Sequence, residues 1–393
     1  MQRDDLVILI DRLLTTGETP HYTADFVKMI IRCYIGANKY ECLEADLPNR
    51  RYFIVGDIHG DYQSLLYILR FIGTFNTVVQ GESATTIFLG DYIDRGPNSV
   101  EVLITLLTVS YVYPDRFMLL RGNHENGDLN DLYSQRGDII TLKKECLAKY
   151  GQDTGELLFD TMVELFDYLR VSCRIADAIY CIHGGVPTDI DGFEIEIRGA
   201  LPTMITDNDK PQLMSALWND PMDDTVYNEG TYDKSMRGGG IHSFGRKPTE
   251  AFLKAKDVRC IVRGHEVLLT PQKNTPDMRV ITVFSSIDYW RNANCQHTYA
   301  NILYYNDVPD YYDSATKIEC LNISLKGMVD WTCFDRSRIQ GMQPFQVLRY
   351  MVARVDEVLS SRCTPVQENT RSVTTDSTDN MQCEPSITHD GSD

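Results

Sequence analysis

The sequence predicts an α/β fold in which buried strands end in polar clusters, and three observations carry that expectation. First, three runs, YFIVGDIHG from Tyr52, TTIFLGDYIDRG from Thr85 and RFMLLRGNHE from Arg116, pass from consecutive apolar or β-branched residues to a glycine beside Asp, Asn, His or Arg. A strand buried on both faces has this near-continuous apolar character, and a parallel sheet gathers the residues just past its strands at one edge. Asp57, Asp91 and Asn123 are therefore expected side by side. Second, helical spacing through Leu65 and Leu69, and through Val100, Leu103 and Leu107, separates the three runs and makes a βαβαβ unit. Third, the device recurs downstream in AIYCIHGG, which brings His183, and in CIVRGHE, which brings His265.

Taken in order, residues 3–14 place Leu6, Ile10, Leu13 and Leu14 on one helical face, and Thr23 caps a second helix with Phe26, Ile30 and Tyr34. After the βαβαβ unit, 126–137 reads as a polar segment, followed by helices around 141–149 and 156–166 and the strand that carries His183. From Pro187 the pattern loosens, with loops around 220–224 and 238–240 and a solvated turn at Arg246 and Lys247. Strands return at 259–262, 279–284 and 297–305. A last helix over 344–360 lays Phe345, Leu348, Met351, Val352, Val355, Val358 and Leu359 along one stripe. The Ser- and Thr-rich tail 361–393 is too polar to offset its own ordering entropy and is expected to be disordered. The chain thus divides into an N-terminal helical segment, 1–50, packed on the core; a main domain, 51–330; the amphipathic helix; and the tail.

Composition narrows the function classes. With 43% apolar and 24% charged residues in 393, the chain reads as an ordinary packed globular protein. No run of about 18 apolar residues occurs, and MQRDDLVILIDRLL carries charges inside its apolar stretch, which argues against a membrane span or a signal peptide. Eleven cysteines without paired spacing suit buried, reduced thiols, so the chain is expected in the cytosol or nucleus. A net charge of −18 without clustered Lys and Arg argues against a nucleic-acid ligand, although a few arginines in a cleft still suffice for an anionic substrate.

The clusters carry a specific chemistry. Asp57 and His59 are two apart, so at the end of an extended segment they point the same way and grip one ion. Asp91 offers two oxygens and bridges to a second ion, completed by Asn123, His183 and His265. Mixed nitrogen and oxygen donors without thiolate suit Mn, Fe or Zn better than Ca or Mg. Two such ions activate water and clamp phosphoryl oxygens in an in-line displacement. Arg95 and Arg237 then serve as planar forks for phosphate oxygens. His124 is placed to protonate the leaving oxygen, with Asp94 fixing its tautomer and its charge.

In order and spacing, GDIHG (56–60), GDYIDRG (90–96), RGNHE (121–125), HGG (183–185) and RGHE (263–266) closely resemble the motifs of the phosphoprotein phosphatase family. LWNDP (217–221) and RGGGIHSFG (237–245) match further, and the resemblance spans roughly 52–305. It implies a metallophosphoesterase-type β-sandwich with flanking helices and a dinuclear site at strand ends. It also implies hydrolysis of phosphoserine and phosphothreonine esters by direct attack of a metal-activated water. By the same resemblance Asp57, His59 and Asp91 ligate one metal, and Asp91, Asn123, His183 and His265 the other. Arg95, Arg237, Asn123 and Tyr289 contact phosphate, and His124 with Asp94 forms the acid pair.

Two loops that rim the site in that family depart from its pattern. SSIDYW (285–290) stands where the family has SAPNYC, which puts Trp290 in place of a cysteine, and the segment after Glu125 begins with Asn126 and is several residues longer before KECLAKYG. Phosphoprotein substrates are implied, and the helix 344–360 either folds back on the core or docks a regulatory subunit. Two other readings share the clusters: a metallophosphoesterase acting on dinucleoside polyphosphates or small phosphoesters, and a scaffold that keeps the fold without turnover. The long region from His183 to His265, with LWNDP and Arg237, favours the phosphoprotein branch.

Overall fold

Strands Arg51–Val55, Thr85–Phe88 and Phe117–Leu119 are parallel neighbours, with helices Tyr62–Val78 and Ser99–Val112 between them. Tyr299–Asn306 pairs antiparallel with Arg51–Val55 and Lys317–Ser324 pairs with it in turn, completing a five-stranded sheet. A six-stranded sheet runs in the order Glu44–Leu47, Ser172–Ile175, Ile179–Ile182, Cys260–Arg263, Val280–Thr282, Lys273–Asn274. The computed structural model describes residues 2–38, 44–48, 50–78, 84–137, 139–199, 211–268, 273–287, 289, 299–306 and 317–324. The helix expected over 344–360, the tail 361–393 and Trp290 lie outside the described residues.

Strand side chains alternate, and here both directions are apolar. Tyr52, Ile54, Ile87 and Leu89 of the first sheet share a core with Cys173, Ile179, Cys181, Val262 and Ile281 of the second. Their neighbours Phe53, Val55 and Phe88 turn the other way, into a core with Ile30, Leu65, Leu103 and Phe166 from flanking helices. Tyr180, Ile182, Ile261 and Val280 meet Phe193, Leu213 and Phe252 on the far side of the second sheet. A period of two thus yields four layers, helices over sheet over sheet over helices, with the site where the central strands end. Among the described residues no helix is long and apolar enough to cross a membrane.

Three places differ from expectation. The segment 1–50 is not helical throughout: after helices Arg3–Thr16 and Ala24–Asn38, Glu44–Leu47 is an edge strand parallel to Ser172–Ile175. That strand lacks an apolar period; its anchor is Glu44, whose carboxylate accepts from Lys256 Nζ at 2.6 Å and from Tyr180 OH. The polar stretch after Glu125 is the helix Gly127–Arg136, capped by Asn126 Oδ1 accepting from Leu129 N at 3.0 Å. Arg246 and Lys247 open the helix Arg246–Lys256 rather than a turn. The loops before them carry a small sheet of Asp220–Pro221, His242–Phe244 and Tyr232–Lys234.

Candidate active site

Close approach of the strand ends explains the glycines. A Cβ on Gly90, whose φ is 107°, would lie 2.2 Å from Gly122 N, and one on Gly122 would lie 2.2 Å from Asp91 Oδ1. Only two residues without side chains let these loops touch. Beyond them the backbone is strained: His59, Asp91, Asp94, Arg95 and His265 all have φ between 47° and 71°. This region costs non-glycine residues roughly 1–3 kcal/mol each, and such strain persists where surrounding contacts fix it. Glu125 fixes two of the loops. Its buried carboxylate accepts from Asp91 N at 2.8 Å, Tyr92 N at 2.9 Å and Gly122 N at 2.8 Å.

The expected metal donors converge. His59 Nδ1 donates to Ile93 O at 2.9 Å and His183 Nδ1 to Leu89 O at 3.0 Å. A carbonyl only accepts, so each Nδ1 carries a proton and each ring aims Nε2 at the site. His59 Nε2 lies 3.5 Å from Asp91 Oδ2 and 3.9 Å from Asp57 Oδ2, and His183 Nε2 lies 2.9 Å from Asn123 Oδ1 and 3.4 Å from Asp91 Oδ1. Asp91, His183 and His265 hold donor atoms within 4.8 Å of one another, and so do His59, Asp91 and His124. His124 takes the place in that group where the sequence expects Asp57, whose Oδ1 accepts from His265 N at 3.0 Å.

These donors suit cations. Asp57 Oδ2 and His265 Nε2 are buried and have no hydrogen-bond partner among the described residues. Burial, then Asp91, pushes the Asp57 carboxyl up to about 7, a misfit that a nearby cation would relieve. Burial drives the His59 imidazole down to about 3 and holds His265 well below its ordinary value, so both are neutral, as ligands must be. Asp91 stays well below the usual carboxylate range because, against its burial, His183 and His124 face it. The residues fit a metal centre.

The remaining site residues face the same space. His124 Nδ1 bonds Asp94 Oδ2 at 2.8 Å, and Asp94, fully buried, also accepts from Asn130 Nδ2 at 3.1 Å and Leu142 N at 2.8 Å. Burial lowers the His124 pKa, but Asp91 and Asp94 outweigh it and raise the pKa above its ordinary value. Arg95 lies over the Tyr289 ring at 5.3 Å, and its buried Nε has no hydrogen-bond partner among the described residues. Arg237 Nε bonds Asp220 Oδ2 at 2.5 Å. A cavity of about 240 Å³ is lined by His59, Asp91, Asn123, His124 and His265 together with Arg95, Arg237 and Tyr289.

Sequence reasoning missed the supports. Arg263 is fully buried; its fork bonds Gly184 O, Glu266 Oε2 at 2.6 Å and Asp220 Oδ1 at 2.7 Å. Asp220 therefore couples Arg263 to Arg237, and LWNDP is the available signal. Asn130 is hidden in a stretch whose polarity suggests a loop, and Glu125 ends a motif that by itself gives it no task.

Comparison with known proteins agrees with this geometry. Residues 50–268 match the sequence model of the calcineurin-like phosphoesterase family. Over 237 residues the chain is 34% identical to a protein phosphatase 2A catalytic subunit of Dictyostelium discoideum, covering 60% of this chain and 68% of that protein. The structure of a protein serine/threonine phosphatase from Saccharomyces cerevisiae with similarity to human phosphatase PP5 superposes with a TM-score of 0.62 at 24% identity. That superposition covers 81% of this chain and 96% of the other, and it speaks for the fold. Buried donors at parallel strand ends, an Asp-His pair, two arginines and a family match over more than half the chain agree: this protein belongs to the calcineurin-like phosphoesterases and, among them, to the phosphoprotein phosphatases.

Proposed function

We propose that the chain is a protein serine/threonine phosphatase that hydrolyses phosphoserine and phosphothreonine esters. The observation that carries this reading is one small cavity in which metal donors, the His124–Asp94 pair and two arginines meet. At its floor Asp57, His59 and Asp91 would hold one metal ion and Asp91, Asn123, His183 and His265 a second, with Mn, Fe or Zn the suitable elements. Bound there, the two ions supply the charge that turns water into a nucleophile and stabilises phosphoryl oxygens.

The chain's own residues do the rest. Arg95 lines the cavity and offers its guanidinium to the phosphate, and the Tyr289 ring 5.3 Å from it steadies the fork. Arg237 lines the same cavity, its reach limited by Asp220, and Asn123 adds an amide. His124 gives a proton from Nε2 to the departing serine or threonine oxygen, while Asp94 holds Nδ1–H and favours the imidazolium. Phosphoproteins are then the substrates, and the stretch 344–360, if it folds as the sequence leads one to expect, offers a regulatory subunit its apolar face. The test is to offer metal-reconstituted protein phosphoserine, phosphothreonine and phosphotyrosine peptides beside a dinucleoside tetraphosphate. Turnover of the first two classes is expected; cleavage of the dinucleotide alone would overturn the reading.

A further inference from the structure

The catalytic cavity does not end at Arg95. A cavity of about 580 Å³ shares His59, Arg95 and Tyr289 with it and runs out along Gln63, Pro97, Asn98, Ile139, Ile140 and Ser286. A third, of about 520 Å³, shares Pro97, Ile139 and Ile140 with the second and opens beside Lys144. Ile139 and Ile140 lie in the segment between Glu125 and KECLAKYG, which is longer than the resemblance leads one to expect.

That stretch is fastened to the phosphate-binding loop. Ile140 O accepts from Arg95 N at 2.6 Å, and Lys144 Nζ donates to Ile139 O at 3.4 Å. The Ile140 side chain is nonetheless 44% exposed beside the groove. Asp61, the carboxylate on the groove wall, is occupied by Ser64 N at 3.0 Å and Ile287 N at 3.0 Å. The groove therefore offers a visitor apolar surface at Ile139 and Ile140, between Arg95 at one end and Lys144 at the other.

We propose that this groove receives the substrate polypeptide on one side of the phosphorylated residue and selects an apolar side chain there. The proposal rests on the phosphatase reading. Continuity with the catalytic cavity argues for the substrate itself as occupant, because a polypeptide whose phosphate lies between Arg95 and Arg237 must leave by a path that opens from that cavity. Against Ile139 and Ile140 a charged neighbour would lose its hydration, whereas a leucine would be covered.

The test uses full-length, metal-loaded enzyme and phosphothreonine peptides that carry Leu, Ala, Asp or Lys in turn on each side of the phosphoresidue. Wild type is expected to favour Leu over Asp and Lys by about tenfold in kcat/KM on one side only. Ile139→Ser with Ile140→Ser should bring that ratio close to one, and Ile139→Val with Ile140→Val should keep it. Each ratio compares two peptides on one enzyme, so a general loss of active protein does not imitate the result. Should the serine variant fail to fold, Ile140→Ala takes its place. No preference in wild type, or a preference the serine variant retains, overturns the proposal. Faster hydrolysis of a small aryl phosphate by the serine variant also overturns it, by showing that a segment of this chain fills the groove. Dinucleoside tetraphosphate cleavage with no phosphopeptide turnover would strike instead at the phosphatase reading.

Discussion

The two halves of the site are held in place by different means. Around strands Arg51–Val55, Thr85–Phe88 and Phe117–Leu119, backbone holds it: glycines let the loops touch, Glu125 pins three N–H groups, and strained residues aim their side chains. Around Ile179–Ile182 and Cys260–Arg263, charge holds it: buried Arg263 reaches Asp220, 43 residues away in sequence, and Asp220 holds Arg237. Backbone control is written in short motifs, while charge control is written in pairs whose partners lie far apart. Damage to the first half should therefore appear in chemistry, and damage to the second in stability and substrate binding.

The largest effect expected from a single residue that does not bind metal is at His124. His124→Asn should lower kcat on phosphoserine peptides by about a hundredfold or more, and much less on an aryl phosphate whose leaving group needs no proton. Equal losses on both substrates, measured in steady state, would remove the proton-donor role. On the charged side, Asp220→Asn leaves Arg263 with Glu266 and frees Arg237. It should cost about 3 kcal/mol of stability by urea titration and raise KM for phosphopeptides severalfold more than it lowers kcat. A drop in kcat alone would mean that Asp220 belongs to the chemistry.

The smallest effect is expected away from the site, at the edge strand. Lys256 is 5% exposed and bonds Glu44 and Glu194. Lys256→Met should cost about 2 kcal/mol, less than a fully enclosed pair because both carboxylates keep some solvent, and leave kcat and KM as they are. An activity loss would show that the edge strand reaches the site through the sheet.

The same contrast decides how much is legible in the sequence. The βαβαβ unit and the strands leading to His183 and His265 are legible because a strand buried on both faces leaves an unbroken apolar run. Asp57, Asp91, Asn123 and both histidines come with them, since each stands next to such a run. Glu44–Leu47 is not legible, because an ion pair to Lys256, 212 residues away, anchors it rather than a periodic pattern. Gly127–Arg136 is hidden by its polarity; Asn126 stands out as a departure from the family's pattern, and only the structure shows it to be a helix cap. Arg263 enters the sequence only as a letter of RGHE. Nothing local tells a fully buried, triply bonded guanidinium from a surface one.

Asp91 belongs to both donor groups, and the proposed dinuclear site makes it their shared carboxylate, which bound-metal content can check. Full-length protein, loaded and then dialysed, is assayed for bound metal by plasma mass spectrometry, beside Asp91→Asn. The account predicts about two ions per chain in wild type and loss of tight binding at both positions in the variant, because the charge between two dications has gone. Two tightly held ions in Asp91→Asn, with turnover near wild type, would contradict it.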